Sequence, residues 1–288
     1  MTRPTLAVSP VALAIALAVL PSGRLLAAQE LPHYLRDRGT GVRTSVLGSY
    51  VRHGELLVYP FFEWYADRNL EYKPSELGYG PSLVDYRGRY RASEGILFFG
   101  YGVTPDIAIE FEGAVISAEL RTSPRDTSSA KPPRVQESGL GDVEGQIRWR
   151  FQRETETRPE LFTYFGTVFP LQKSKHLIGT QDWEAFFGLG LVRGFRWGTL
   201  TVRAAGEYGR AAHPHFDAGE YAIEYLRRLS PAWRVVAAIE GNQVDEVSLL
   251  TEAQWHVARH AVLKLNSGWG LTKNATDFAP EVGIMFSF

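Results

Sequence analysis

Through much of this chain, apolar and polar side chains alternate one by one. Near its carboxy end, Val282, Ile284, Phe286 and Phe288 fall on one face, and Glu281, Gly283, Met285 and Ser287 on the other. A period of two marks a β-strand, because successive side chains leave opposite sides of the pleat. Similar strand-like segments are Glu55–Asp67, Arg87–Val103, Ile107–Leu120, Val143–Phe151, Leu161–Leu171 and Trp183–Arg193. They continue with Leu200–Arg210, Tyr221–Leu229, Arg234–Gly241, Val247–Val257, Val262–Leu271 and Val282–Phe288. Long polar loops such as Arg68–Tyr86 and Arg121–Ser138 join some of them. Tight turns such as Thr104-Pro105-Asp106 join others, since Pro followed by Asp favours a reversal. The expected fold is all-β: a transmembrane antiparallel up-and-down β-barrel of about 12 strands over residues 55–288. A soluble sandwich would explain the alternation but not the long-short rhythm or an aromatic terminal strand.

The charges fix which face meets lipid. Ile107, Ile109, Phe111 and Val115 alternate with Glu110 and Glu112, and Ile147, Trp149 and Phe151 with Gln146, Arg148 and Arg150. Tyr221, Ile223 and Tyr225 alternate with Glu220 and Glu224; Leu263 and Leu265 flank Lys264. An Arg or Lys at the midplane of a barrel's lipid face costs about 2–4 kcal/mol, so the charges are expected inside. Glu110, Glu112, Arg148, Arg150, Arg203, Glu207, Glu224 and Glu240 are then the candidate lumen residues for a solute, a lining of both signs. Leu161–Leu171 fits neither register cleanly. Tyr59, Phe61 and Tyr65 are expected either to line the lumen or to pack against the amino-terminal segment.

That segment, 29–54, is read as an arm or a lumen plug, because an extra strand within Val42–Val51 would make the count odd. Residues 1–28 read as a secretory signal: Arg3 opens it, ten apolar residues lie between Pro10 and Pro21, and Ala27-Ala28 supply small residues for cleavage. Ten residues are half of the roughly twenty a membrane helix needs. Beyond this segment, 29 basic side chains face 32 acidic ones, with no basic stripe to suggest nucleic acid. Without cysteine there is neither disulfide nor thiol chemistry. The location expected is the bacterial outer membrane, with its lipid as partner.

Two resemblances sharpen this. The spacing of Glu281, Gly283, Phe286 and Phe288 resembles the carboxy-terminal assembly signal of bacterial outer-membrane barrels, which implies the barrel assembly machinery as a partner through Gly283, Phe286 and Phe288. Gly139-Leu140-Gly141-Asp142 leads into an amphipathic strand, Tyr101–Asp106 forms a tight turn before Ile107, and Gly268–Thr272 precedes the closing strand Pro280–Phe288. Together these resemble the outer-membrane barrel family of the MetA pathway of phenol degradation, labelled transporters. The resemblance implies a channel or transporter-like barrel for small, aromatic or hydrophobic solutes; no cofactor is expected.

Other chemistry finds less support. His213-Pro214-His215 with Asp217 has ligand types suited to zinc or copper but too few of them, so no metal is expected. Gly-x-Gly at 188–190 lacks a nucleotide-binding context. Ser248 and His256 share a strand face but stand about 27 Å apart along it, too far for a nucleophile and its base. No catalytic residue is expected; the alternatives are an outer-membrane hydrolase acting on lipid, using another serine, and a closed structural barrel.

Overall fold

The computed structural model describes residues 31–127, 130–180, 183–209 and 215–288, with the backbone only at His215. The expected signal, residues 1–28, lies outside them. Two short strands, β1 (Val42–Arg43) and β2 (Tyr50–Val51), pair only with each other. Twelve longer strands follow: β3 (Leu56–Tyr72), β4 (Tyr86–Gly102), β5 (Ile107–Arg121), β6 (Arg134–Gln152), β7 (Glu160–Phe169) and β8 (Glu184–Phe195). The second half comprises β9 (Gly198–Gly209), β10 (His215–Arg228), β11 (Trp233–Gly241), β12 (Val247–Ala258), β13 (Ala261–Gly270) and β14 (Phe278–Ser287). Each pairs antiparallel with the next, and β14 pairs with β3, from Phe278↔Ala66 to Ser287↔Leu57, so the wall closes on itself. Connections 73–85, 122–133 and 170–183 lie at one end, and the shorter 103–106, 196–197, 229–232 and 259–260 at the other.

The outer surface follows the alternation. Ile147, Trp149 and Phe151 are each about half exposed, while Gln146, Arg148 and Arg150 between them are buried. Rings gather at the two ends of the wall. Trp233 stacks on Trp255 and Phe195 on Trp197 at the short-turn end; Phe169–Trp183 and Trp269–Phe278 meet at the long-loop end. An apolar band between two aromatic girdles is how a barrel meets a bilayer and its interfaces.

The β7 ambiguity resolves into a strand with rings on both faces. Phe162 and Tyr164 are buried inside, whereas Phe165 is half exposed outside. Tyr59 packs within the lumen against Val42 and Val51, with Phe61 alongside.

Two expectations need correcting. β6 starts at Arg134 rather than Val143, because Arg134–Gly139 pairs with Ile116–Arg121. The stretch Gln136–Asp142 has a single apolar residue, Leu140, so a period-two pattern has nothing to mark there. The stretch Arg121–Ser138, whose Pro, Ser and charged composition predicts a long external loop with no fixed fold, is instead fastened where it is described. The Tyr72 hydroxyl accepts from the Ser123 N–H at 2.8 Å and donates to Asp126 at 3.1 Å, while Lys131 donates to the Ser123 carbonyl at 2.6 Å. Ser128 and Ser129 lie outside the described residues.

Candidate lumen site

Residues 31–51 run among the inward-facing side chains of the wall. Arg43, buried, pairs with Glu224 of β10, and Arg38 pairs with Glu154 and Glu160, both at 2.9 Å. Lys264 of β13, with no exposed surface, donates to the Leu47 carbonyl at 2.8 Å and to Ser49 Oγ at 3.1 Å. Among the described residues, the backbone-to-backbone hydrogen bonds of 31–51 stay within the segment, so side chains of the wall and of the segment hold the two together.

Over the tip of this segment lies a cavity of about 580 Å³, with Ser45, Val46 and Leu47 on one side. Six of the eight expected residues border it: Glu110, Glu112, Arg148, Arg203, Glu207 and Glu240. Arg148 reaches Glu110 at 3.0 Å and lies over the Tyr164 ring at 4.8 Å. Glu110 also accepts from the Ser45 N–H (2.8 Å) and hydroxyl (2.6 Å). Arg203 bridges Glu240 at 2.8 Å and Glu220 at 3.1 Å.

Arg150 and Glu224 do not border the cavity. Arg150 turns to the short-turn end, where it donates to the Thr40 and Gly41 carbonyls (3.0 Å each), Glu160 (3.2 Å) and Asp106 (3.0 Å). Glu224 is covered by Arg43 and Gly48. The register explains Arg150: Glu112 stands opposite Glu144, while Arg150 lies beyond the end of β5, beside Asp106.

The lining carries both signs, but residues that the sequence pattern missed make it strongly acidic. Glu63, Glu94, Glu144, Glu184, Glu252 and Glu281 also border the cavity. Among the described residues the lining holds eleven glutamates against two arginines. Their placement is unusual for a sheet: Glu281 stands opposite Glu63, Glu63 opposite Glu94, and Glu112 opposite Glu144 on neighbouring strands. Like charges directly opposite destabilise a strand pair. The short-turn end carries more base, with Arg38, Arg43, Arg150 and Arg228 around the segment.

The candidate motifs have local roles. At 188–190 the two glycines leave room for rings, Tyr164 lying against Gly188 and Phe162 against Gly190, where a Cβ would collide. Asp142 of the Gly-Leu-Gly-Asp run accepts from the Leu171 N–H at 3.1 Å and from that of Thr180, fastening the 170–183 connection. In the 103–106 turn, Thr104 Oγ1 accepts from the N–H of Asp106 and Ile107. Asp106 then meets Arg153 at 2.7 Å, and that bond, with Arg150 adding to it, holds its carboxyl below the usual carboxylate range. His213 lies outside the described residues, as does the side chain of His215. No group of three or more His, Asp or Glu among the described residues is placed to hold a metal ion.

A closed wall of twelve antiparallel strands, apolar outside and charged inside, is a transmembrane barrel of the bacterial outer-membrane type. Comparison with solved structures agrees on that fold. The chain is similar to an outer membrane channel from Pseudomonas putida F1 (12% identity, TM-score 0.60, covering 82% of this chain and 96% of that one). It is also similar to the translocator domain of the autotransporter NalP from Neisseria meningitidis (11% identity, TM-score 0.50, covering 82% and 90%). No protein-family model matches the chain, and no curated protein matches its sequence.

Proposed function

We propose that this chain is an outer-membrane channel through which small solutes pass passively. The cavity inside the closed wall carries the reading: one of its sides is the tip of a segment held by side chains, not by strand pairing. Such an occluder can be displaced without opening the ladder of the wall. Tyr59, Phe61, Tyr65, Phe98 and Phe186 border the cavity, which supports a solute with an aromatic or apolar body. The resemblance to the phenol-degradation barrels points the same way.

The test is planar-bilayer conductance of the protein with and without residues 31–54. Conductance in either form, larger after the deletion, supports the channel. Silence in both, with the barrel still folded, leaves the closed structural barrel, a reading favoured by the number of buried ion pairs between segment and wall. A hydrolase gains nothing from Ser248 and His256, near opposite ends of β12, since His256 Nε2 has no hydrogen-bond partner among the described residues. The barrel assembly machinery is the proposed partner for Gly283, Phe286 and Phe288.

A further inference from the structure

The cavity's lining is too acidic to be explained by the needs of the wall. Its two arginines are already engaged by Glu110, Glu220 and Glu240. Lys264, which meets Glu252 at 3.0 Å, is fully buried and committed to Leu47 and Ser49. The row Glu281–Glu63–Glu94 and the pair Glu112–Glu144 then set five carboxylates face to face across strands, and among the described residues none of the five forms an ion pair with an arginine or lysine. Such a row works against strand pairing, so its presence asks for positive charge from elsewhere.

A second observation concerns hydrogen bonding. Tyr164, only 3% exposed, borders the cavity with a hydroxyl that has no hydrogen-bond partner among the described residues. Gln146 is 7% exposed; its amide nitrogen donates to Glu144 at 3.2 Å, and its carbonyl oxygen is left without a donor. Buried polar atoms are almost always satisfied, so these two oxygens, able to accept, mark where a donor belongs. The rings add a third feature. Tyr59 stacks on Phe61 at 4.5 Å and already carries the Lys264 ammonium at 5.0 Å, and Tyr164 carries the Arg148 guanidinium. Aromatic faces beside carboxylates suit a desolvated organic cation.

We propose that the cavity binds a small organic cation, an ammonium or guanidinium group on an apolar or aromatic body, and that this is the solute class the barrel admits. The second half of this statement rests on the channel reading above. Glu63, Glu94, Glu112 and Glu144 would meet the charge, the free oxygens of Gln146 and Tyr164 would accept its N–H groups, and Phe61 and Phe186 would cover its body. A metal ion is a poorer occupant, because the carboxylates border a wide cavity and do not converge on one point. An aromatic acid would meet the same glutamates as repulsion.

The test uses the full chain, purified in detergent and titrated with three probes of one shape: phenethylammonium, neutral 2-phenylethanol and phenylacetate. The cation is expected to bind at least about tenfold more tightly than either of the others, a clear free-energy difference. That margin should shrink in about 0.5 M salt, where the Debye length is only a few ångströms. Glu112→Gln with Glu144→Gln should erase much of the preference while leaving the barrel folded, since it removes a repulsion. Equal binding of cation and alcohol by the parent protein overturns the proposal, whatever the variant does, as does a preference untouched in a folded double variant. Conductance of the same preparations separates the two readings. A conducting barrel without cation preference keeps the channel and discards the ligand; cation binding in a barrel that never conducts keeps the ligand and discards the channel.

Discussion

Arg43 and Glu224 form an ion pair with almost no exposed surface on either side, although 181 residues separate them in sequence. One belongs to the segment inside the barrel and the other to its wall. Breaking a buried pair from one side leaves an uncompensated charge and costs about 3–5 kcal/mol. Arg43→Ala is therefore expected to loosen residues 31–54 without unfolding the wall. Limited proteolysis of the purified barrel should cut the segment faster than in the parent, with the wall fragment intact. Unchanged cleavage would mean that the pairs of Arg38 suffice to hold the segment.

Adjacent residues on β6 should respond in opposite ways. Ile147 faces lipid, and an arginine there costs about 2–4 kcal/mol near the midplane, so Ile147→Arg should reduce the amount of barrel in the membrane. Arg148→Ala should still give a heat-modifiable barrel, but one more cation-selective, because it removes one of the two arginines that border the cavity among the described residues. Reversal potentials across a salt gradient measure the second effect, and membrane fractionation the first. A selectivity unmoved by Arg148→Ala would separate the cavity from the conduction path.

Asp106 ties the β4–β5 turn to Arg153 and Arg150. Because its carboxyl is held below its ordinary value, chiefly by the Arg153 hydrogen bond, the stabilisation is complete above the unfolded carboxyl's range, about pH 4. It disappears as pH falls through the lower folded value. Asp106→Asn should thus lower the melting temperature near pH 7 and make progressively less difference at strongly acid pH. The group is partly exposed, so the effect should be small, roughly 0–1 kcal/mol. Melting curves of both proteins across the acid range check the sign.

Gly283, expected to matter for recognition by the assembly machinery, also has a packing reason to be glycine. A Cβ there would overlap Phe61 Cβ and come within 2.6 Å of Tyr59 Cε2, at the seam where β14 meets β3. Gly283→Val should destabilise the purified, refolded barrel by about 1–3 kcal/mol, the usual range for overpacking. Refolding into detergent without any assembly factor isolates this contribution. Normal refolding combined with poor assembly in cells would favour recognition.

The strand count and the lipid-facing side were legible because both are local: Ile147 and Arg148 disclose their faces to anyone counting by two. The acidic lining was not. Glu63, Glu94 and Glu281 become neighbours only through the register of three strands, one of them more than 180 residues away, and alternation fixes register only to within steps of two residues. Arg150 was misplaced for the same reason, since its face was right but its height along the wall was not. Residues 42–51 were opaque for another cause. Strands of two residues carry no period, and their order comes from partners such as Glu224 and Lys264, which are distant in sequence.

The segment inside the barrel shares no backbone ladder with the wall between residues 31 and 51, and every strand of the wall has two neighbours without it. Its departure would leave charged side chains to be rehydrated, and water accepts those readily; it would create no unpaired strand edge. The segment and the wall are therefore separable parts, a stopper in a finished vessel, and on the channel reading a substitution such as Arg43→Ala should shift the balance between them without remaking the vessel.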